Sequence, residues 1–229
     1  PRDHVFMSGL SDAERPTIQV WPSDPGQQAA LIQRAADALR VGHLVVFPTD
    51  TVYGLAADPL NEAAVEYIFV VKQRPSEKRI ALLVAGSGDL DRLASSVPPS
   101  ARALAEAAWP GALTIVLACS RPELGPTIAL RWPDHEVPTR IAAELGSPIA
   151  TTSANLSSLP SPRTAEDVVA QLPIGYELLI DGGQTPGGVD STVIDFSSGE
   201  PKLLRRGGLE RSVIEAALGA DITEKLLGG

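Results

Sequence analysis

The chain of 229 residues has little of several features that would assign it to a familiar class. Cys119 is the only cysteine, so no disulfide can form within the chain, and its place in the apolar run ALTIVLAC predicts a buried thiol. No run of about eighteen apolar residues is present, so we expect no transmembrane helix. The N-terminal stretch PRDHVFMSGLSDAERP lacks the apolar core of a signal peptide, which favours a cytoplasmic protein.

Positive charge and aromatic side chains are also scarce. Lys and Arg number 19 against 28 Asp and Glu, a formal net charge of −9, and 4% of residues are aromatic. This composition argues against a protein that coats nucleic acid through a broad basic surface with aromatic side chains for base stacking. A local basic pocket for a small anion remains compatible with it, because nearby charges matter more there than the total.

Several catalytic motifs are absent as well. The sequence contains no G-x-x-x-x-G-K-[ST] P-loop, no G-x-G-x-x-G after a strand and no G-x-S-x-G elbow. His4, His43 and His135 lie far apart without metal-ligand spacing, so we predict no metal site built from protein ligands. A Ser–His–Asp hydrolase has no support beyond the presence of the three residue types.

Helices and strands alternate along the chain, which predicts an α/β fold with a twisted sheet and flanking helices. Asn61 can cap a helix that runs to Arg74, and Thr164 begins a sequence with capping-box spacing. No linker rich in Gly, Ser or Pro divides the chain. We therefore expect one domain over residues 26–229, after a loose N-terminal tail of residues 1–25.

Polar residues cluster beside predicted strands. The stretches are FPTDTVYGLAAD (47–58), TTSANLS (151–157), DSTVID (190–195) and LLRRG (203–207). Small hydroxyls and an Asn at strand ends suit phosphate or carboxylate oxygens, although ordinary Ser/Thr turns have the same pattern. The run KQRPSEKR (72–79) carries four basic side chains, which either hold an anion or form a solvated face.

Taken together, these stretches resemble the YrdC-like family of threonylcarbamoyl-adenylate synthases. FPTDTVYGL, KQRPSEK, WPGALTIVL, ALRWPDH, PIATTSANLS, DGG…GGVDSTVID and LLRRG occur in the family's order and spacing, from about Leu44 to Leu218. The resemblance implies a twisted mixed sheet with flanking helices around a large, open, basic cavity. It also implies that L-threonine, bicarbonate or CO2, and ATP form threonylcarbamoyl-AMP and pyrophosphate, for the threonylcarbamoyladenosine modification of tRNA. The C-terminal domain of longer relatives has no counterpart here, so the chain resembles the short form.

The resemblance also assigns roles to individual residues. It implies that Lys72 and Arg74 of the family's K-x-R run face the nucleotide phosphates and take part in catalysis. Other positions assigned to ATP are Lys78, Thr127, Ser153, Asn155, Ser161 and Arg205. Positions assigned to the threonine substrate are Thr51, Arg131, Thr151 and Ser191. Mg²⁺ is expected with ATP, held by phosphates and water. The implied partners are a separate threonylcarbamoyl transferase machinery and a weak contact with tRNA or other RNA, with no membrane.

Three departures from the family pattern bear on the amino-acid pocket. Arg79 replaces a proline, Leu83 stands where some relatives have His, and Trp132 replaces a smaller apolar residue. Two other functions therefore stay open. One is an RNA-binding module with the same fold, and the other is a paralogue that acts on a different carbamoyl or acyl adenylate.

Overall fold

The computed structural model describes residues 16–73 and 80–228. Within these ranges, ten strands form one sheet and eight α-helices flank it. The strands are β1 (Thr17–Val20), β2 (Val45–Phe47), β3 (Gly54–Ala57), β4 (Ala81–Leu83), β5 (Leu113–Ala118), β6 (Thr127–Arg131), β7 (Ile149–Ser153), β8 (Leu178–Asp181), β9 (Thr192–Asp195) and β10 (Lys202–Arg205). The helices are α1 (Pro25–Arg40), α2 (Glu62–Val71), α3 (Asp89–Leu93), α4 (Pro99–Ala108), α5 (Glu136–Leu145), α6 (Ala165–Gln171), α7 (Arg211–Leu218) and α8 (Ala220–Leu227).

The sheet is mixed, with the strand order β1-β8-β2-β3-β7-β4-β6-β5-β9-β10. The parallel pairs are β1/β8, β2/β8, β4/β6 and β5/β9, and the other neighbours are antiparallel. Strands distant in sequence therefore become neighbours, as in β3 beside β7 and β5 beside β9. The predicted fold class, a mixed sheet with flanking helices, is confirmed.

Helix ends follow the local signals in the sequence. Asn61 Oδ1 accepts a hydrogen bond from the Ala64 amide at 3.1 Å and caps α2. Thr164 and Asp167 form the reciprocal capping box of α6. At the other end of α5, Gly146 adopts φ +74°, a left-handed conformation that glycine adopts without steric cost. The predicted caps at Asn61 and Thr164 are confirmed.

Helix α2 ends earlier than its sequence predicts. The apolar spacing and Pro75 favour a helix that reaches Arg74, but the last helical residue is Val71. Lys72 is the C-cap, and Gln73 adopts φ +48°, which the right-handed helix cannot accommodate. The prediction of a helix to Arg74 is therefore wrong at its C-terminal end, while Arg74 itself lies outside the described residues.

The expected N-terminal tail also needs a correction. Thr17–Val20 form an edge strand that pairs in parallel with β8, and Pro25 already begins α1. Residues 1–15 lie outside the described ranges. The sequence misleads here because an edge strand buries little of its surface, so its apolar content is low. The prediction of one domain over 26–229 stays a prediction.

Residue alternation in the strands separates the core from a polar surface. In β6, Ile128 and Leu130 point into the hydrophobic core beneath α4 and α7, whereas Thr127, Ala129 and Arg131 face the opposite side. The same alternation in β5 and β9 buries Leu113, Ile115, Leu117 and Ile194. Helices cover that side of these strands, so the other side forms the floor of a cavity.

The described part of the chain contains no helix with the length and apolar character needed to cross a bilayer.

Candidate active site

A cavity of about 650 Å³ lies on the polar side of the sheet. Its floor comes from five adjacent strands, β7, β4, β6, β5 and β9, and its rim includes β10. The residues that line the cavity follow the period of two in three strands: Thr114 and Val116 in β5, Thr127, Ala129 and Arg131 in β6, and Val193 and Asp195 in β9. In β7, the consecutive residues Thr151, Thr152 and Ser153 all line it. Small hydroxyl-bearing side chains dominate this surface, which suits a small polar ligand.

Arg131 is a buried cation in this floor, with 6% of its surface exposed. Its Nη2 donates to Asp50 Oδ1 at 2.6 Å, its Nη1 to Thr51 Oγ1 at 2.9 Å, and its Nε to the Gly111 carbonyl at 3.1 Å. Burial lowers the pKa of Arg131, and the charge of Asp50 opposes that shift. A guanidinium has five N–H donors, so these contacts leave two for a ligand such as a carboxylate.

The turn after β2 holds Thr51 in place. Thr49 Oγ1 donates to the Val52 carbonyl at 2.8 Å and accepts from the Thr51 amide at 3.1 Å. The two hydroxyl oxygens of Thr49 and Thr51 lie 2.9 Å apart. Both residues are almost fully buried, at 3% and 2% exposure. This turn therefore delivers a fixed hydroxyl beside the Arg131 guanidinium.

Arg205 also lines the cavity, and its guanidinium binds the two residues before β9. Its Nε donates to the Ser191 carbonyl and its Nη2 to Ser191 Oγ, both at 3.0 Å, while Nη1 reaches Asp190 Oδ2 at 3.3 Å. Thr114 Oγ1 lies 2.7 Å from Ser191 Oγ. Ser161 does not line the cavity, but its hydroxyl donates to Asp190 Oδ1 at 3.2 Å. Ser161 thus contacts the wall that orients Arg205.

An irregularity in β10 aims Arg205 at the cavity. Leu203 pairs with Ile194 and Arg205 pairs with Val193, so Leu204 is an extra residue in the ladder. Because a bulge shifts the alternation by one position, Leu204 and Arg205 both line the cavity.

Lys72 organises the loop after β7. Its ammonium donates to the carbonyl oxygens of Ser153 and Asn155 and to Asn155 Oδ1, the last at 3.1 Å. Its own carbonyl accepts from the Ser157 amide at 2.9 Å. Asn155 Nδ2 donates to the carbonyls of Leu156 and Leu159, which closes the loop. These contacts give Lys72 a part in shaping the site, and its predicted contact with phosphates stays a prediction.

Two further threonines lie on the floor. Thr127 Oγ1 is buried and has no hydrogen-bond partner among the described residues, so a ligand or water can satisfy it. Thr151 Oγ1 donates to the Ile149 carbonyl at 3.2 Å. On the neighbouring strand β3, a Cβ on Gly54 would lie 2.7 Å from Thr151 Cγ2, so glycine is required for β3 to approach this closely.

The structure brings together the predicted site residues that it describes. All of them except Ser161 line the one cavity: Thr51, Lys72, Thr127, Arg131, Thr151, Ser153, Asn155, Ser191 and Arg205. Arg74 and Lys78 lie outside the described residues, so their placement stays a prediction. Leu83, one of the departures, also lines the cavity.

Sequence reasoning missed several residues that the structure adds. Thr49, Asp50, Thr114 and Asp190 contact predicted site residues, and Asp195 lines the same cavity. Asp50 and Asp190 lie in the polar stretches FPTDTVYGLAAD and DSTVID, so their positions in the sequence could have predicted a place in the site. For Thr114 the only signal was one hydroxyl within the apolar strand ALTIVLAC.

The basic character predicted for the cavity stays a prediction. Among the described residues, its lining has the cations Lys72, Arg131 and Arg205 and the carboxylates Asp190 and Asp195. The remaining predicted cations, Arg74 and Lys78, lie outside the described residues.

The fold and this site define an α/β protein with a polar cavity on one side of its mixed sheet. The family model for Sua5, YciO and YrdC proteins, described as "Telomere recombination", matches residues 37–207. The chain belongs to this family.

Individual relatives agree with the family match. The chain is 42% identical over 195 residues to the threonylcarbamoyl-AMP synthase of Bacillus subtilis, an alignment that covers 82% of this chain and 56% of the relative. It resembles the crystal structure of Pyrococcus abyssi Sua5 complexed with L-threonine, with a TM-score of 0.82, 40% identity, and coverage of 89% and 61%. Escherichia coli YciO gives a TM-score of 0.76 at 25% identity, with coverage of 87% and 99%. The chain thus spans less than two thirds of the length of the first two relatives.

Proposed function

We propose that this chain is an L-threonylcarbamoyl-adenylate synthase, a nucleotidyltransferase. Its substrates are L-threonine, bicarbonate or CO2, and ATP, and its products are threonylcarbamoyl-AMP and pyrophosphate. The family and the names of the relatives support this assignment. The observation that carries it is the grouping of predicted threonine and nucleotide residues around one cavity.

The amino-acid end of the site is assigned to the surroundings of Arg131. The two remaining N–H donors of its guanidinium suit the planar carboxylate of an amino acid. Thr51, Thr151 and Ser191 place hydroxyls in the same cavity. An apolar Leu83 in the lining can contact a methyl group.

The nucleotide end is assigned to Arg205, Thr127 and the loop after β7. Arg205 offers a partly exposed guanidinium, and Thr127 offers a buried hydroxyl without a partner among the described residues. Ser153 and Asn155 stand on the loop that Lys72 braces. The cations Arg74 and Lys78 complete this proposal from sequence, because ATP brings about four negative charges that must be offset.

The chemistry needs no nucleophile from the protein. The neutral threonine amine adds to CO2 and releases one proton to solvent. A carboxylate oxygen of the resulting carbamate then attacks the α-phosphorus of ATP. The bond from that phosphorus to the bridging oxygen of the β-phosphate breaks, and pyrophosphate leaves. Catalysis then consists of alignment and charge stabilisation, and good alignment can contribute roughly 7–11 kcal/mol.

Mg²⁺ enters this proposal as a companion of ATP. Among the described residues no group of three or more His, Cys, Asp or Glu side chains is placed to hold a metal ion. We assign the ion to phosphate oxygens and water, which is how Mg²⁺ commonly binds with nucleotides.

The product is a mixed anhydride, which a further reaction must consume. We assign onward transfer to tRNA to a separate threonylcarbamoyl transferase, and we place the reaction in the cytoplasm. A weak contact of this chain with tRNA remains part of the proposal.

The test is pyrophosphate release with ATP, Mg²⁺, bicarbonate and L-threonine, with mass spectrometry of the adenylate. Release should require all four components, and Arg131→Ala should impair threonine use more than ATP binding. Release with another amino acid and not with threonine would favour the paralogue. Salt-dependent RNA binding without any adenylate would favour the RNA-binding module.

A further inference from the structure

Thr192 has a hydroxyl group that accepts hydrogen bonds from beyond its own strand. The residue is 1% exposed and shares the core-facing side of β9 with Ile194, so it does not line the cavity. Its Oγ1 accepts from the Gly207 amide at 3.1 Å and from the Leu209 amide at 3.2 Å. Both lone pairs of this oxygen are therefore engaged by the backbone of one segment. Thr192 holds the chain after β10 against the start of β9.

The strand that carries Arg205 has little buried surface to keep its end in place. β10 is an edge strand of four residues, so only one of its sides pairs with a neighbour. Its regular pairing is interrupted at Leu204, and Leu204, Arg205 and Arg206 are all exposed. A short edge strand with exposed side chains opens locally at low free-energy cost. The hydrogen bonds just beyond Arg205 therefore decide where this end of β10 lies.

Arg205 depends on the same region of β9. Its guanidinium donates three hydrogen bonds to Asp190 and Ser191, the residues directly before Thr192. The Gly208 amide, which lies between the two amides that Thr192 binds, donates to the Asp190 carbonyl at 2.9 Å. These three consecutive residues thus bind both the side chain of Arg205 and the backbone that follows it. If that backbone leaves Thr192, the guanidinium cannot keep all three of its hydrogen bonds.

We propose that Thr192 is a positioning residue for the nucleotide end of the site: its hydroxyl holds the segment after β10, so that Arg205 stays at the cavity. This inference rests on the proposed function for the role of Arg205 in ATP binding. It assigns to Thr192 an effect on nucleotide affinity although the residue does not line the cavity. The group that matters is the oxygen acceptor, which serine retains and valine lacks.

The first test measures the position of Arg205 without a ligand. In proton–nitrogen NMR spectra, the Arg205 Nε–H should exchange slowly with solvent, because it donates to the Ser191 carbonyl. Thr192→Val keeps the shape of threonine and removes the acceptor, so this exchange should become roughly tenfold faster or more. Thr192→Ser should keep the slow exchange. Unchanged exchange in Thr192→Val, or equally fast exchange in Thr192→Ser, would overturn the proposal.

The second test asks whether the effect on ATP passes through Arg205. In calorimetry with ATP and Mg²⁺, Thr192→Val should weaken binding roughly threefold to tenfold, and Thr192→Ser should not weaken it. In the Arg205→Met background, Thr192→Val should have little further effect, because the group that it positions is already absent. If the two losses in the double variant simply multiply, Thr192 acts independently of Arg205 and the proposal is wrong.

Thr223→Val is the matched control for general destabilisation. Thr223 is fully buried in α8, its hydroxyl donates to the Gly219 carbonyl at 2.9 Å, and it does not line the cavity. Thr223→Val should lower the unfolding midpoint and leave the Arg205 exchange and the ATP affinity unchanged. If it weakens ATP binding as much as Thr192→Val does, destabilisation explains both results and the proposal fails.

The outcomes separate this inference from the proposed function. A wild-type chain that binds no ATP refutes the proposed function, and the Arg205 exchange rates still decide whether Thr192 positions that residue. A chain that makes the threonine adenylate while Thr192→Val keeps the wild-type ATP affinity retains the proposed function and refutes this inference. If Thr192→Val does not fold, Thr192→Cys supplies a thiol, a weak acceptor, and should shift both measurements in the same direction. Wild-type values of both in Thr192→Cys would then overturn the proposal.

Discussion

At the scale of single residues, the site depends on one compensated buried charge. Arg131 is 6% exposed, and Asp50 is its only carboxylate partner among the described residues. A buried ion pair contributes little net stability, but removal of one partner leaves an unpaired charge away from water. Asp50 therefore acts through Arg131, by holding its guanidinium in place.

We predict that Asp50→Ala destabilises the fold by about 3–5 kcal/mol. Urea unfolding would measure this change. The double variant Asp50→Ala/Arg131→Met should recover much of the loss, because it removes both charges. For comparison, Asp91→Asn breaks the exposed Asp91–Arg102 pair and should barely move the unfolding midpoint. Equal effects of the two single variants would contradict the buried-charge account.

His135 offers a second prediction at this scale. Its Nδ1 accepts from the Val137 amide at 3.2 Å and caps α5, which requires the unprotonated nitrogen. Burial lowers the pKa of His135 below its usual value of 6.5, against the opposing charges of Asp50, Glu136 and Asp134. Below pH 6.5, His135 binds a proton more readily in the unfolded chain than in the folded one. The stability that the neutral His135 cap contributes is therefore present above pH 6.5 and is lost as the pH falls through the lowered pKa of the folded state.

The measurement compares wild type with His135→Asn, which keeps a capping acceptor that does not titrate. Between pH 7.5 and 5.5 the wild type should lose up to the 0.5–2 kcal/mol of a typical N-cap relative to the variant. Parallel losses in the two proteins would show that other groups cause the pH dependence.

At the scale of elements, close contact between the segment after β10 and the loop before β9 sets the position of Arg205. A Cβ on Gly207 would lie 2.2 Å from the Asp190 carbonyl oxygen and 2.3 Å from the Ser191 carbonyl carbon. No side chain fits at such distances, so only glycine lets the two segments meet. The three hydrogen bonds from Arg205 to Asp190 and Ser191 depend on this approach.

Gly207→Ala should therefore destabilise the chain by about 2 kcal/mol or more and weaken ATP binding, because Arg205 moves away from the cavity. Gly208→Ala is the matched control, since its Cβ would meet nothing nearer than 3.7 Å. Unfolding midpoints and calorimetry with ATP would compare the two variants. Similar behaviour of both would rule out the close approach as the cause.

At the scale of the whole molecule, three hydrophobic clusters share one sheet. The first lies around α4 and α7, the second around α1 and α5, and the third around α2 and α6. Neighbouring strands supply all three: Phe47 packs in the second cluster, and Val46 beside it packs in the third. Because β2, β4 and β7 each supply residues to two of the clusters, disruption of one cluster would also loosen the packing of another.

We expect the chain to unfold in a single cooperative transition. Far-UV and near-UV circular dichroism should give the same melting midpoint, and ATP with threonine should raise both together. Two separate midpoints would divide the chain into independent units and would make the prediction of one domain over residues 26–229 wrong.

The sequence alone determined those features that depend on residues close together along the chain. The caps at Asn61 and Thr164 depend on residues three positions apart, and the strand alternation depends on neighbours two apart. Such signals are present before the chain folds, so the α/β class and most helices could be predicted. The motif order also identified the family and most of the lining of the cavity. Edge strand β1 and the early end of α2 were missed, because pairing with β8 and the φ of Gln73 leave no local signature.

Only the tertiary structure decided how the site residues meet. Asp50 and Arg131 stand 81 positions apart, and Thr114 and Ser191 stand 77 apart. Crossover connections place β5 beside β9 and β3 beside β7, and no property of the single residues specifies those neighbours. The same holds for the surroundings of Thr51, whose hydroxyl oxygen lies 2.9 Å from both the Thr49 hydroxyl and the Arg131 guanidinium. A sequence states which groups are available, but hydrogen-bond direction and charge compensation exist only between groups that folding has brought within about 3 Å.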